Sequence, residues 1–398
     1  MKVDHLVAAL RNTSFALYLT GNAVSIVGTW AQRVVLFWLA WEATESTAII
    51  GLMAAADLLP SVLVAPFAGS LADRADRLAL ARRLQLLSVG PPLILLGLLW
   101  AAQITTPALL AMSLATGIVN GFDHPTRMVL VGNLVERSLV PGAVAINSIV
   151  FNLARMIGPA LGGAAISFDT SGAIFVLNVV SYLGFAAILS RLTLVSRPEA
   201  GPSTSVAAGW VDTLSHLGAR HRAVLIYFAL LALCFRPVFE LLPSFAETVA
   251  GPVLEAGQVF GWMTSAQALG AMIGALAVSM LTAAVGVVPL ILATGAVSIV
   301  ALALFLVSSG AAAALATLTF LSGAILANGV STQVMLQTEI ADTERGRVLS
   351  LYTMIFRGMP ALGAFLIGVG GTVVSSKVLF WMTIPALVLA SVIAARRL

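Results

Sequence analysis

Charge is what this 398-residue sequence has least of: Asp, Glu, Lys and Arg make up 10% of it, against 60% hydrophobic residues. A water-soluble globule of this length needs far more charge to cover its surface, so water is not the expected solvent. The single cysteine, Cys234, excludes an internal disulfide and a cysteine-based metal site. Four scattered histidines show no ligand spacing, so neither metal nor cofactor is expected. There is no GxxxxGK[ST] loop and no nucleophile elbow, which leaves an ATP-driven pump or a membrane enzyme without visible machinery. The N-terminal stretch MKVDHLVAALRNTS lacks a short apolar core followed by small residues, so a cleaved signal peptide is not expected. A net charge of +4 invites a nucleic-acid reading, but the distribution of that charge argues for membrane topology instead.

What is abundant is apolar length. Segments of 18 or more residues recur from end to end, each able to cross ~30 Å of hydrocarbon as a helix. Many of the 34 glycines and 16 prolines lie inside these segments, where membrane helices tolerate them. The pattern predicts twelve spans, roughly at 14–41, 48–71, 80–101, 107–130, 142–167, 171–191, 223–247, 257–282, 285–308, 310–334, 347–372 and 376–395. With both termini cytoplasmic, fifteen Lys and Arg fall on the cytoplasmic side and only Lys377 outside. That bias orients the chain, and an inner-membrane location is expected. The polar connection 192–222 is rich in Pro, Gly and Ser and reads as a cytoplasmic linker, with VDTLSHLGARH as a possible interfacial helix. It divides the chain into six-helix halves at 1–191 and 223–398.

The halves echo each other. ARMIGPALGG in span 5 places Arg155 before Gly158, Pro159, Gly162 and Gly163. FRGMPALGA in span 11 places Arg357 before Pro360 and Gly363. Spans 4 and 10 share Asn120-Gly121 and Asn328-Gly329, followed by Arg127 in one and Met335 in the other. Spans 1 and 7 carry Arg33 and Arg236 at comparable depth. Internal repeats of this kind are typical of transporters that rock two bundles about a central site.

Between spans 2 and 3 stands GSLADRADRLALARR, with Gly69, Asp73, Arg74 and Arg77. It resembles the loop signature of the major facilitator superfamily, with Asp76 where that signature has glycine. Gly69 lets helices approach, Asp73 suits a helix N-terminus, and Arg74 or Arg77 is expected to pair with Asp123 at the end of span 4. ARMIGPALGG resembles the span-5 element of drug/proton antiporters in the same superfamily. WLAWEATESTAIIGL, GFDHPTRMVLVGNLV and ERGRVLSLYTMIFRG are similar to the branch of enterobactin-type siderophore exporters and macrolide efflux proteins. The resemblance implies an all-α, twelve-helix membrane protein in two pseudo-symmetric bundles. The counterpart loop in the second half, around GALAVSMLTAAVG, carries no charge, so the resemblance does not extend to gating by both loops.

Six charges fall in mid-span: Arg33, Arg155, Arg236 and Arg357 against Asp57 and Glu240. Asp57 or Glu240 is expected to carry a proton as the bundles rock, since a nearby arginine and desolvation pull a carboxyl's proton affinity in opposite directions. A static ion pair is the alternative for each. The excess of arginine suits an anionic or catechol-bearing substrate, with carbonyls and water as the competing partners. Asn120, Gln267, Asn328 and Gln333 are candidate hydrogen-bonding groups for that substrate. Trp30, Phe37, Phe235 and Trp262 are candidate apolar wall, though most such aromatics are ordinary packing. The functional expectation is a monomeric, proton-coupled exporter of a small amphipathic compound. A lipid or lysophospholipid flippase on the same fold is the alternative, and a transport-dead scaffold a third reading that the loop signature and buried charges oppose.

Overall fold

The computed structural model describes residues 8–74, 76–195, 214, 216–251 and 254–398. Among them there are helices and no strand, as expected where no water is available to satisfy backbone groups. In chain order the helices are α1 (Thr13–Thr44), α2 (Thr47–Arg74), α3 (Arg77–Ser88), α4 (Gly90–Trp100), α5 (Thr106–Asn133), α6 (Val140–Ser167) and α7 (Ser171–Leu189). There follow α8 (Ala219–Phe235), α9 (Pro237–Glu240), α10 (Leu242–Ala250), α11 (Ala256–Val285), α12 (Val287–Val307), α13 (Ala311–Glu339), α14 (Asp342–Gly370) and α15 (Ser376–Arg397). Eleven stretches of the described residues are long and apolar enough to cross a membrane, α3 with α4 forming one of them. The remaining passage is α5, whose 28 residues suffice in length but whose Asn120, Asp123, His124 and Arg127 lower its mean hydropathy. Large side chains such as Phe320, Met280 and Leu276 stand exposed, as they should where the solvent is hydrocarbon.

Two expected helices are interrupted, and proline is the reason both times. Pro91 and Pro92 occupy the first turn of α4 and supply no backbone N–H, so the third passage breaks at Val89. The seventh passage breaks at Arg236 and again at Leu241, with Pro237 and Pro243 just beyond. The carbonyl of Leu233 thereby loses its helical donor. The spans at 80–101 and 223–247 are each correct in place but divided in structure.

The chain forms two compact units, Met1–Leu36 with Pro60–Ser205 and Phe37–Leu59 with Val206–Leu398. In the first, Phe15, Tyr18, Leu130, Val131, Leu134 and Phe185 form a closed apolar cluster. Leu192 and Leu194, at the start of the expected linker, pack on the same cluster. In the second, Leu225, Phe228, Leu336, Leu351 and Tyr352 do the same. There α11 and α13 cross at near-contact distance: a Cβ on Gly270 or Gly274 would overlap the carbonyl of Thr319 or Gly323. The Ser322 hydroxyl donates to the Gln267 carbonyl at 2.8 Å across that crossing. Small residues replace the hydrophobic effect as the source of helix association in lipid. The end of α1 and the start of α2 join this unit through Trp41 Nε1, which donates to Glu247 Oε2 at 3.0 Å, and Thr47 Oγ1, which donates to the Gly368 carbonyl at 3.2 Å. Of the expected interfacial helix VDTLSHLGARH, residues 211–213 and 215 lie outside the described residues, and Ala219, Arg220 and His221 already belong to α8.

Candidate functional site

The arginine-glycine echo is a pair of helix crossings. In the first unit α6 lies on α1: a Cβ on Gly158 would sit 2.7 Å from the Trp30 Cβ and the Val27 carbonyl. One turn on, a Cβ on Gly162 would sit 2.7 Å from the Ala31 carbonyl. Pro159 and Gly163 are buried in the same face. This proximity carries the Arg155 guanidinium over the Trp30 ring, 5.2 Å from its centroid. Arg33, almost one turn along α1, lies 5.7 Å from the same centroid. All three side chains are half-buried.

The second unit repeats the crossing with the roles exchanged. A Cβ on Gly363 of α14 would overlap the Leu233 carbonyl, the group that Pro237 left without a donor. Here the arginine comes from the seventh passage and the aromatic from α14. Arg236 lies 4.2 Å from the Phe356 centroid and donates from Nη1 to the Phe356 carbonyl at 3.1 Å. Cation–π contacts of this type contribute on the order of 0.5–2 kcal/mol, more when desolvated. Arg357 is the next residue and is half-buried, and Pro360 is buried in the same helix. Glu240, one turn beyond Arg236, is within its electrostatic reach. The two do not share one rigid helix, because the break at Pro237 separates them. Asp57 is half-buried on α2.

The expected Asp123–Arg77 pairing is replaced by a different arrangement. Arg127 Nε lies 2.6 Å from Asp123 Oδ2, one turn away on α5. Gln85 Nε2 donates to Asp123 Oδ1 at 2.9 Å. Arg127 Nη1 in turn donates to Asn22 Oδ1 at 2.7 Å, and Asn22 Nδ2 donates to Asn147 Oδ1 at 3.0 Å. Helices α1, α3, α5 and α6 are thus tied through one buried polar network. Arg77 Nη1 donates to Asn133 Oδ1 at 2.7 Å. Asp76, the residue that departs from the loop signature, caps α3: its Oδ1 accepts from the Leu78 and Ala79 amides at 3.0 and 3.2 Å. The side chains of Gly69, Asp73 and Arg74 lie outside the described residues.

The other candidates separate by burial. Asn328 is 1% exposed and donates from Nδ2 to the Ile291 carbonyl at 2.7 Å, so it ties α13 to α12 rather than facing a ligand. Asn120, Gln267 and Gln333 are half-buried, and Trp262 is exposed on α11. Phe37 and Phe235 are buried packing groups. Phe356, Gln85, Asn22 and Asn147 were not singled out by sequence; the i,i+4 spacing of Asp123 and Arg127 was the available signal for their network.

Comparison with known proteins agrees with this architecture. The staphyloferrin A transporter of Staphylococcus aureus (strain NCTC 8325 / PS 47) is 24% identical over 356 residues, 88% of each chain. Among solved structures, the nucleoside transporter NupG superposes with a TM-score of 0.77 at 12% identity, over 97% of this chain and 99% of that one. A bacterial homologue of the iron transporter ferroportin gives a TM-score of 0.74 at 14% identity, over 96% and 98%. The family model of the transmembrane secretion effectors matches residues 5–398. The chain therefore belongs to that family and is a multi-pass membrane transporter of the major facilitator type.

Proposed function

We propose that the protein is a proton-coupled exporter of a small amphipathic compound, siderophore- or drug-like, working by alternating access in the inner membrane with both termini cytoplasmic. The observation that supports this best is the placement of Arg33, Arg155, Arg236, Arg357, Asp57 and Glu240 as half-buried groups within membrane passages. Charges there are costly, by at least ~2.5 kcal/mol each, and face water-filled pathways or partners rather than lipid. The similarity to a transporter named for staphyloferrin A favours a siderophore-like cargo.

In this reading Asp57 carries the proton and Glu240 orients substrate. Arg236 is anchored to α14 by the Phe356 carbonyl and ring, and Glu240 lies within its electrostatic reach. A nearby anchored cation suits Glu240 to orienting substrate rather than to exchanging a proton. Asp57 stands on the unbroken α2, and in this reading its hydration changes as the bundles rock. Reconstitution into liposomes with an imposed pH gradient, against siderophores, antibiotics and lysolipids, tests the proposal. Substrate-dependent proton flux supports it, and substrate movement indifferent to the gradient overturns it.

A further inference from the structure

The first unit gathers two positive charges around one indole. Arg33 from α1 and Arg155 from α6 both reach the Trp30 ring, so their guanidinium carbons lie within about 11 Å of each other, the sum of the two distances. Neither the position nor the closeness is accidental. Arg155 reaches Trp30 because Gly158 and Gly162 remove the side-chain bulk that would hold α6 away from α1. Arg33 and Arg155 are both half-buried residues. A cation in mid-passage faces a water-filled pathway or polar partners rather than lipid.

The two guanidinium groups set the sign of what is bound. Each guanidinium has five N–H donors in a planar fork, so a partner on one edge leaves donors on another. The fork matches carboxylate and phosphate oxygens in bidentate fashion.

We propose that Trp30, Arg33 and Arg155 form a recognition half-site for a small organic compound carrying two or more oxyanion groups, one for each guanidinium. This rests on the transporter reading above and deepens it by naming the chemical class of the cargo. Two sources share that chemistry: a soluble polycarboxylate, and the phosphate headgroup of an anionic lysolipid.

The test is equilibrium binding to the purified full chain in nanodiscs of zwitterionic lipid. The probes are citrate, its uncharged triethyl ester, and lysophosphatidic acid. The expected result is binding by citrate or lysophosphatidic acid, none by the triester, and a loss of at least tenfold in Arg33→Gln and in Arg155→Gln. Citrate alone identifies a soluble polycarboxylate cargo, and lysophosphatidic acid alone a lipid one. Arg155→Lys keeps the charge but not the fork, so it should bind more weakly than wild type and more tightly than Arg155→Gln. Equal binding of the ester, or anion binding unchanged in Arg33→Gln and Arg155→Lys, overturns the proposal. So does the absence of binding by either anion. Because no gradient is imposed, anion binding without pH-driven transport would sink the exporter reading alone, and transport without anion binding would sink this one alone.

Discussion

Arg127 and Asp123 stand one turn apart on α5 with Nε 2.6 Å from Oδ2, their side chains 14% and 9% exposed. Nearly closed to solvent, the pair depends on its additional partners Gln85, Asn22 and Ser25. Asp123→Asn leaves the guanidinium without its carboxylate, and breaking a buried pair in this way costs about 3–5 kcal/mol. The variant is expected to unfold at a clearly lower temperature in detergent, while Arg77→Gln, which loses a contact to Asn133 at the helix end, shifts little. Equal melting of Asp123→Asn and wild type would contradict the network.

Gly158 and Gly363 mark the two crossings on which the arginines ride. A side chain at Gly158 meets the Trp30 Cβ and the Val27 carbonyl at 2.7 Å. At Gly363 it meets the Leu233 carbonyl. Backbone atoms cannot rotate aside, so Gly158→Leu and Gly363→Leu must push the helices apart, at a cost typical of overpacking, about 1–3 kcal/mol. Export by either variant should fall or become uncoupled from the proton gradient. Wild-type flux and coupling in both would show that close approach is dispensable.

Asn328 gives the opposite kind of prediction. Its amide is spent on the Ile291 carbonyl and Thr294 Oγ1. Asn328→Ala should therefore lower thermal stability, by about 0.5–1.5 kcal/mol for a lost hydrogen bond, without changing the substrate concentration for half-maximal transport. A changed half-saturation with unchanged melting would return Asn328 to the substrate path.

The passages were legible because hydrocarbon leaves so few choices: each long apolar run had to become a helix. The arginine-glycine echo was legible for a related reason, since Gly158 and Gly363 have no use on a lipid-facing surface and an obvious one at a crossing. Pairings between helices were less so. Nothing in sequence distinguished Arg77 from Arg127 as the neighbour of Asp123 except the i,i+4 spacing, which favours Arg127. Gln85, Asn22 and Asn147 are single polar residues on otherwise apolar helices, and only packing brings them together. Pro91-Pro92 and Pro237 announced the helix breaks, yet a hydropathy average runs straight across them.

The most direct test of proton-coupled export is uphill transport driven by a pH difference alone, measured in liposomes for wild type, Asp57→Asn and Glu240→Gln. Asp57→Asn is expected still to bind or exchange substrate but no longer to concentrate it, while Glu240→Gln weakens apparent substrate affinity and retains coupling. If Asp57→Asn concentrates substrate as wild type does, Asp57 is not the proton carrier. If wild type itself concentrates nothing under a pH difference, proton coupling is wrong.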